Sequence, residues 1–302
     1  MPRHPLFKPY LALGAVCMLW GTTYLGIRMA LESFPPLVLV STRYILSGSI
    51  MLLFARARGI YLPRGRELLV ACASGVVVLG IGNSCLVFSE VFIPSGLAGL
   101  ITTISPFWLA GVEAMMPRGE RLNGRAIAGM LVGLGGAALL FAPGVDTRVI
   151  DRSILLRGFL LLQLGMAAWS FGSIVQRRQA GKEAHPVIGG AVQQLAAGVV
   201  LSPFALAIPQ HPVHWSARGI GALVYLVCFG SIAGYSAFAY ALDRLPVAVV
   251  SIYSYVNAMV AVALGWLVYR EPFGRREALA MAIIFAGVTV VKRYARYRTA
   301  KV

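Results

Sequence analysis

The stretch PYLALGAVCMLWGTTYLGI, residues 9–27, decides the fold class. It carries no charged side chain, and a helix of this length covers most of the roughly 30 Å hydrocarbon core of a bilayer. The basic start from Met1 to Lys8 imitates a secretory signal. The apolar run, however, continues past Trp20 to Ile27 without an Ala-x-Ala-like cleavage site, which marks a retained first helix. The rest of the chain is of the same kind. Of its 302 residues 58% are apolar and 13% charged, and the mean hydropathy is +0.77. A soluble domain carries roughly a quarter charged residues, so a large soluble enzyme, a disordered chain and a disulfide-stapled secreted domain are all excluded.

Ten apolar stretches are expected as transmembrane helices, near 9–28, 36–55, 68–88, 94–115, 124–142, 154–175, 186–208, 219–241, 246–268 and 277–293. Short separators with helix breakers divide them: Pro35-Pro36, Pro63-Arg64-Gly65, Pro117-Arg118-Gly119, Pro143-Gly144, and Pro209 through Trp215. A closed barrel is the other structure able to cross a bilayer, but these runs are about twice a strand's length and do not alternate. The expected fold is an all-α polytopic membrane protein.

The formal charge of +16 would point to nucleic acid in a soluble protein. Here topology accounts for it. With the N-terminus inside, the inner segments hold 18 Lys and Arg and the outer segments 8, with Arg43 inside a helix as the remaining one. The positive-inside rule then puts both termini in the cytoplasm, residues 295–302 forming a basic tail, and leaves nucleic-acid binding unnecessary. Cys17, Cys72, Cys85 and Cys228 all lie in apolar runs, as free cysteines do, so neither disulfide nor metal site is expected. His4, His185, His211 and His214 sit in loops or at helix edges without a HExxH pair, and no GxxxxGK[ST] loop is present to bind ATP.

The two halves resemble each other. Trp20-Gly21-Thr22 is matched by Trp169-Ser170-Phe171 at an offset of 149, Ile93-Pro94-Ser95-Gly96 by Leu245-Pro246-Val247-Ala248 at 152, and Gly119-Glu120-Arg121 by Arg270-Glu271-Pro272 at 151. The expected domains are therefore residues 1–145 and 150–294. Five helices per half is an odd number, so the second copy must enter the membrane from the opposite face. Inverted repeats of this kind hold a transporter's substrate near the midplane, between the halves.

The residues Trp20-Gly21-Thr22-Thr23-Tyr24, Pro35-Pro36-Leu37, Arg43-Tyr44 with Gly48, Trp169 with Ser170 and Gly172, and Tyr255-Val256-Asn257 together resemble the EamA family of the drug/metabolite transporter superfamily. The resemblance covers essentially the whole chain. It implies an inner-membrane secondary exporter of small metabolites, often amino acids, with a cavity lined by helices 1, 3, 4, 6, 8 and 9. Ala258 departs from the proline common in the family at that point, whereas the first-half counterpart Pro106 is kept. The ninth helix is accordingly expected to be less kinked than the fourth.

Because the expected helices carry few charges, the candidate binding residues are polar and aromatic ones at matching places in the two halves. Trp20 pairs with Trp169, Tyr24 with Ser173, Asn83 with Tyr235, and Ser105 with Asn257. Trp108 and Tyr253 join them by helical spacing from Ser105 and Asn257. Such a set suits a zwitterion with an apolar or aromatic side chain: rings stack, and Ser, Asn and Tyr supply hydrogen bonds. The same residue types also serve as glue between helices and as aromatic belts at the bilayer surface. Arg43 reads as a structural partner on an outer helix. Glu90 and Glu113 are candidates for proton coupling, since a carboxyl away from water favours its neutral form, and both are also placed near enough to an interface to be snorkelling charges. Gly129-x-x-x-Gly133 and Ala278, Ala282 and Ala286 read as close helix packing, within the chain or at a dimer face, so monomer and homodimer both stay open.

The expectation is a carrier for neutral or aromatic amino acids, with no cofactor. The alternative within transport is efflux of hydrophobic cationic drugs, proton-coupled through Glu90 or Glu113. An intramembrane enzyme would need a nucleophile, base or metal constellation at matched depth, and the sequence holds none. A receptor or structural subunit gives no reason for an inverted repeat.

Overall fold

The computed structural model describes residues 7–117, 119, 124–139, 151–179, 186–245, 247–250 and 252–299. Outside them lie the separator Pro143-Gly144, the cations Arg3, Arg118, Arg121, Arg148, Lys182 and Lys301, His4, His185, Glu120 and Pro246. The described residues are predominantly helical, with no strand among them. The helices are α1 (Phe7–Leu31), α2 (Pro36–Ala57), α3 (Gly65–Gly75), α4 (Ser84–Phe92), α5 (Ser95–Thr102), α6 (Ser105–Met115) and α7 (Gly124–Leu139). Then come α8 (Arg152–Gln179), α9 (Pro186–Ala207), α10 (Ala217–Tyr225), α11 (Tyr235–Arg244), α12 (Val247–Val250), α13 (Tyr253–Tyr269) and α14 (Arg275–Thr299). Two π-helical stretches, Val76–Asn83 and Leu226–Gly234, join α3 to α4 and α10 to α11 without a break.

Seven of the helical runs among the described residues are long and apolar enough to cross a membrane, and shorter apolar helices at Ile127–Gly136 and Tyr253–Tyr269 accompany them. The perimeter is apolar in the manner of a lipid-facing surface: Leu53, Leu69, Leu131, Leu206 and Trp266 are all more than 60% exposed. The chain is a polytopic membrane protein.

Chain punctuation follows the breakers. Pro35 ends the turn after α1 in an extended conformation and Pro36 opens α2, where its missing N–H is no loss. Pro94 does the same before α5. Between α5 and α6 the backbone tightens into i→i−3 bonds, from Thr103 N–H to the Leu100 carbonyl and from Ile104 N–H to that of Ile101; Pro106 follows in the first turn of α6. The second half repeats this without proline. Ile252 N–H bonds the Val249 carbonyl and Tyr255 N–H that of Ile252, so α12 and α13 are separate helices although residue 258 is Ala. The ninth helix is thus interrupted as the fourth is, and the interruption lies six residues before Ala258, where tightened turns make it.

Packing runs across the chain's two halves. The helix α2 lies on α9, α7 on α14, α1 on α10, α11 and α13, and α8 on α4, α6 and the first π stretch. Glycine permits the tightest of these contacts. A Cβ at Gly129 would sit 2.7 Å from the Gly287 carbonyl oxygen, and one at Gly287 2.5 Å from that of Gly129. The Gly129-x-x-x-Gly133 face is thus occupied within the chain. Ala278, Ala282 and Ala286 are exposed instead, while Ala280, Ile283 and Gly287 make the contact with α7. That corrects the reading of the alanine stripe as a packing face within the chain.

The buried apolar side chains form two clusters. One gathers Ile27, Val40, Tyr44, Leu226 and Phe238 from α1, α2, the second π stretch and α11. The other gathers Ile101, Ile104, Phe107, Leu162 and Ile284 from α5, the α5–α6 turn, α6, α8 and α14. Residues of both clusters line one cavity, Tyr44 and Tyr235 from the first and Tyr24 and Leu162 from the second.

Candidate functional site

The cavity has about 820 Å³ of space not filled by atoms, part of it open to solvent. Its walls come from α1, α2, α4, α5, α6, α8, α11, α13 and both π stretches. A π turn carries an additional residue and marks functional places in helices more often than chance. Here the two stretches bring Gly82 and Asn83 from one side and Gly230 and Ser231 from the other. Close approach makes this possible: a Cβ at Gly165 of α8 would lie 2.8 Å from the Gly82 carbonyl oxygen.

Eight of the ten residues expected from the sequence, Trp20, Tyr24, Asn83, Ser105, Trp169, Tyr235, Tyr253 and Asn257, are brought together on the wall. The aromatic ones are in contact. The ring of Trp20 meets that of Trp169 edge-on at 5.4 Å and that of Tyr253 edge-on at 5.3 Å, and Trp169 meets Tyr235 at 6.4 Å. Such edge-to-face pairs add about 0.5–1.5 kcal/mol each beyond the area they bury. Phe238 closes the cluster at 4.9 Å from Trp20 and 5.7 Å from Trp169. The sequence reading missed Phe238, although it stands three residues after Tyr235 and shares its helical face.

Polar groups hold these rings. Trp20 Nε1 donates to the Gly230 carbonyl at 3.0 Å, and a Cβ at residue 234 would intrude to 2.5 Å from that nitrogen, so Gly234 makes room for the indole. The hydroxyls of Tyr24 and Thr102 bond each other at 2.7 Å, and Tyr235 Oη donates to Gln193 Oε1. Several buried polar atoms are left without a hydrogen-bond partner: Asn83 Oδ1, Asn257 Oδ1 and Ser105 Oγ. Unpartnered polar atoms at this depth are what a polar ligand or water satisfies.

Two expected residues stand apart. Trp108 is directed at α8, where its Nε1 donates to Gln163 Oε1 at 2.9 Å, and Ser173 is buried one turn beyond Trp169 without forming part of the wall. Trp108 is read from spacing along its own helix and Ser173 from its correspondence to Tyr24 in the first half, and neither fixes what faces a side chain.

The ionisable candidates separate clearly. Glu113 is bonded to Arg178 Nη2 at 2.6 Å with both side chains about a third exposed, and Arg178 also donates to the Pro117 carbonyl. It is a surface ion pair. Glu90 is fully buried on α4 and neither carboxyl oxygen has a hydrogen-bond partner, while Arg28 Nη1 donates to its backbone carbonyl at 2.8 Å. Arg43, read from the sequence as a structural partner, does bond Ser231 Oγ through Nε at 2.7 Å, yet it also lies on the cavity wall.

Among the described residues no cluster of three or more His, Cys, Asp or Glu side chains suited to a metal ion occurs. The chain is 26% identical over 294 residues, 95% of this chain and 94% of that one, to a protein of Streptantibioticus cattleyicolor named as a probable terminal-alkyne amino-acid exporter. It is 32% identical over 297 residues, 95% and 90% of the respective chains, to the uncharacterized inner membrane transporter YedA of Escherichia coli strain K12. A chain of known crystal structure superposes with a TM-score of 0.71 at 22% identity, covering 96% of this chain and 98% of its own, and shares the fold. Residues 7–142 and again 156–293 match the EamA-like transporter family, and the chain belongs to that family.

Proposed function

We propose that the protein is a secondary transporter that exports neutral or aromatic amino acids across the inner membrane by alternating access. In this reading ten helices cross the bilayer as two inverted five-helix repeats, residues 1–145 and 150–294, with both termini cytoplasmic. The observation that carries it is the composition of the cavity wall. Trp20 of α1 and Trp169 of α8, one from each half, meet edge-on at the wall, and the π stretches of both halves contribute to it. Helix breaks recur at corresponding places, residues 103–104 and 252, and the family matches the chain twice. A site framed by two similar halves can open to one side or the other as they rock.

The amino-acid class is supported by the mix of aromatic rings with unpartnered amide and hydroxyl oxygens, and by the name of the Streptantibioticus relative. Glu90 is the proposed proton carrier, being the buried carboxyl without a hydrogen-bond partner, whereas the ion pair of Glu113 removes its case. Efflux of hydrophobic cations would call for an acid on the wall, and among the described residues the wall has none.

The test is efflux of labelled amino acids from proteoliposomes, with and without an imposed pH gradient. Flux of neutral or aromatic members that is lost in Trp169→Ala and in Asn257→Ala is the expected result. Absence of amino-acid flux from folded protein, or variants that transport as the wild type does, overturns the reading.

A further inference from the structure

Arg43 is the one charged residue on the cavity wall among the described residues. It is 5% exposed, and among the described residues no carboxylate oxygen comes within 4.0 Å of its guanidinium. Its Nε is engaged by Ser231 Oγ, which fixes the plane of the group, and the Ser231 carbonyl is in turn bonded by Gln194 Nε2 at 3.3 Å. Gln194 itself accepts from Ser47 Oγ one turn along α2. The side chain is therefore held in place from two helices and one π stretch, while Nη1 is buried with no hydrogen-bond partner. Its contact with the Tyr44 ring, 5.3 Å from the guanidinium carbon, offers partial compensation only.

A buried, oriented cation without a counter-ion is an expensive arrangement. A purely structural role would be served by an uncharged donor to Ser231. What a guanidinium adds is a planar fork matched to a carboxylate. On the same wall Asn83 Oδ1 and Asn257 Oδ1 are acceptors without donors, the complement of an ammonium group. We propose that Arg43 is a substrate-binding residue that takes the carboxylate of the transported molecule. This rests on the transport reading of the cavity and narrows it: the ligand must carry a carboxylate, and a cation lacking one is repelled.

The experiment titrates wild-type protein in lipid nanodiscs with L-phenylalanine, 3-phenylpropionate and L-phenylalaninamide, following tryptophan fluorescence from the cavity wall. The two acids are expected to bind at least tenfold more tightly than the amide. In Arg43→Gln this preference is expected to vanish, with acid affinity falling roughly 10- to 100-fold, the range of one charge-assisted hydrogen bond. Arg43→Lys keeps the charge and loses the fork, so it is expected to retain the preference at several-fold weaker affinity. It serves as the informative variant if Arg43→Gln does not fold, and the comparison of three ligands on wild type needs no variant. Equal binding of acid and amide, no acid binding by folded wild type, or a preference that survives in Arg43→Gln overturns the inference. Flux is scored separately. Acid binding that depends on Arg43 without any flux refutes the transport reading and leaves the carboxylate site standing. Flux of the amide without acid binding does the reverse.

Discussion

The carboxylate of Glu271 reaches across the chain to the start of α5. Its Oε1 accepts from Ser95 N at 2.9 Å and from Ser95 Oγ at 2.8 Å, and its Oε2 accepts from Gly96 N at 2.7 Å. Pro94 supplies no side-chain cap to α5, so two of the backbone N–H groups in that first turn depend on a residue 175 or more positions away. Glu271→Gln tests how much this contributes. The amide oxygen can keep both bonds to Ser95, but the NH2 group meets the Gly96 N–H, donor against donor. One hydrogen bond to a charged acceptor, about 1.5–3 kcal/mol, is lost together with about 0.3–1 kcal/mol of interaction with the helix dipole. Glu271 is partly exposed, so the lower part of that range applies, about 2 kcal/mol. At roughly 2 °C per kcal/mol for a chain of this size, thermal unfolding of the purified protein in detergent is expected to start about 4 °C lower. Ser95→Ala removes only the hydroxyl bond and is expected to lower it by about half as much. The two losses are expected to be less than additive, since both variants weaken one group of bonds. A Glu271→Gln protein that unfolds within 1 °C of wild type would refute the reasoning, as would strict additivity with Ser95→Ala.

Gly129→Val should destabilise by about 1–3 kcal/mol because its Cβ must enter the space of the Gly287 carbonyl. Gly135→Ala on the same helix meets nothing within 4 Å and should be neutral or stabilising by up to about 1 kcal/mol, and equal melting of the two variants would sink the contact argument. Glu90→Gln is expected to abolish the pH-gradient component of flux in proteoliposomes while leaving downhill exchange intact, and an unchanged pH dependence rejects the role. Asp151, just before α8, accepts from the Ser153 backbone N–H at 2.7 Å, which holds its carboxyl below the ordinary value. Its contribution is therefore complete above pH ~4 and lost as pH falls through the lowered value. The gap in melting temperature between wild type and Asp151→Ala should close at low pH, and a gap that stays constant from neutral pH down to pH 3 would disprove it.

The helical layout is legible in the sequence because two strong physical signals set it. Hydrocarbon thickness fixes the length of an apolar run, and Pro35-Pro36 and Pro94 fix where helices start, so the starts of α2 and α5 fall within a residue of those expected, while ends set by no breaker, such as that of α14, run up to six residues further. The π stretches are not legible. Val76–Asn83 and Leu226–Gly234 read as ordinary apolar helix, and what distinguishes them is contact with other helices, such as Gly82 with Gly165 and Gly230 with Arg43. The α12–α13 break is of the same kind, for no proline announces it. Small residues mislead for a related reason: Ala278, Ala282 and Ala286 are as compatible with lipid as with a neighbouring helix, and only the seating of α7 on Gly287 decides between them.

For the cavity, internal correspondence between the halves proved the useful signal. Trp20 and Trp169, Asn83 and Tyr235, and Ser105 and Asn257 pair by position alone and all six lie on the wall, whereas of the fourth pair Tyr24 lies on it and Ser173 does not. Spacing along one helix is a weaker guide to the wall: Tyr253 lies on it and Trp108 does not, because the indole N–H is bonded to Gln163 on α8. Arg43 shows the limit of assigning a side chain from the location of its helix. On an outer helix a charge reads as structural, and α2 does pack against α9. But a buried guanidinium has a long reach, and the π stretch carries Gly230 and Ser231 to meet it, so the side chain bridges from the periphery to the wall. The physical clue was present in the sequence: a charge inside an apolar helix must be compensated by something. Among the described residues the protein supplies Ser231 and no acid, which leaves the occupant of the cavity as the group that completes the compensation.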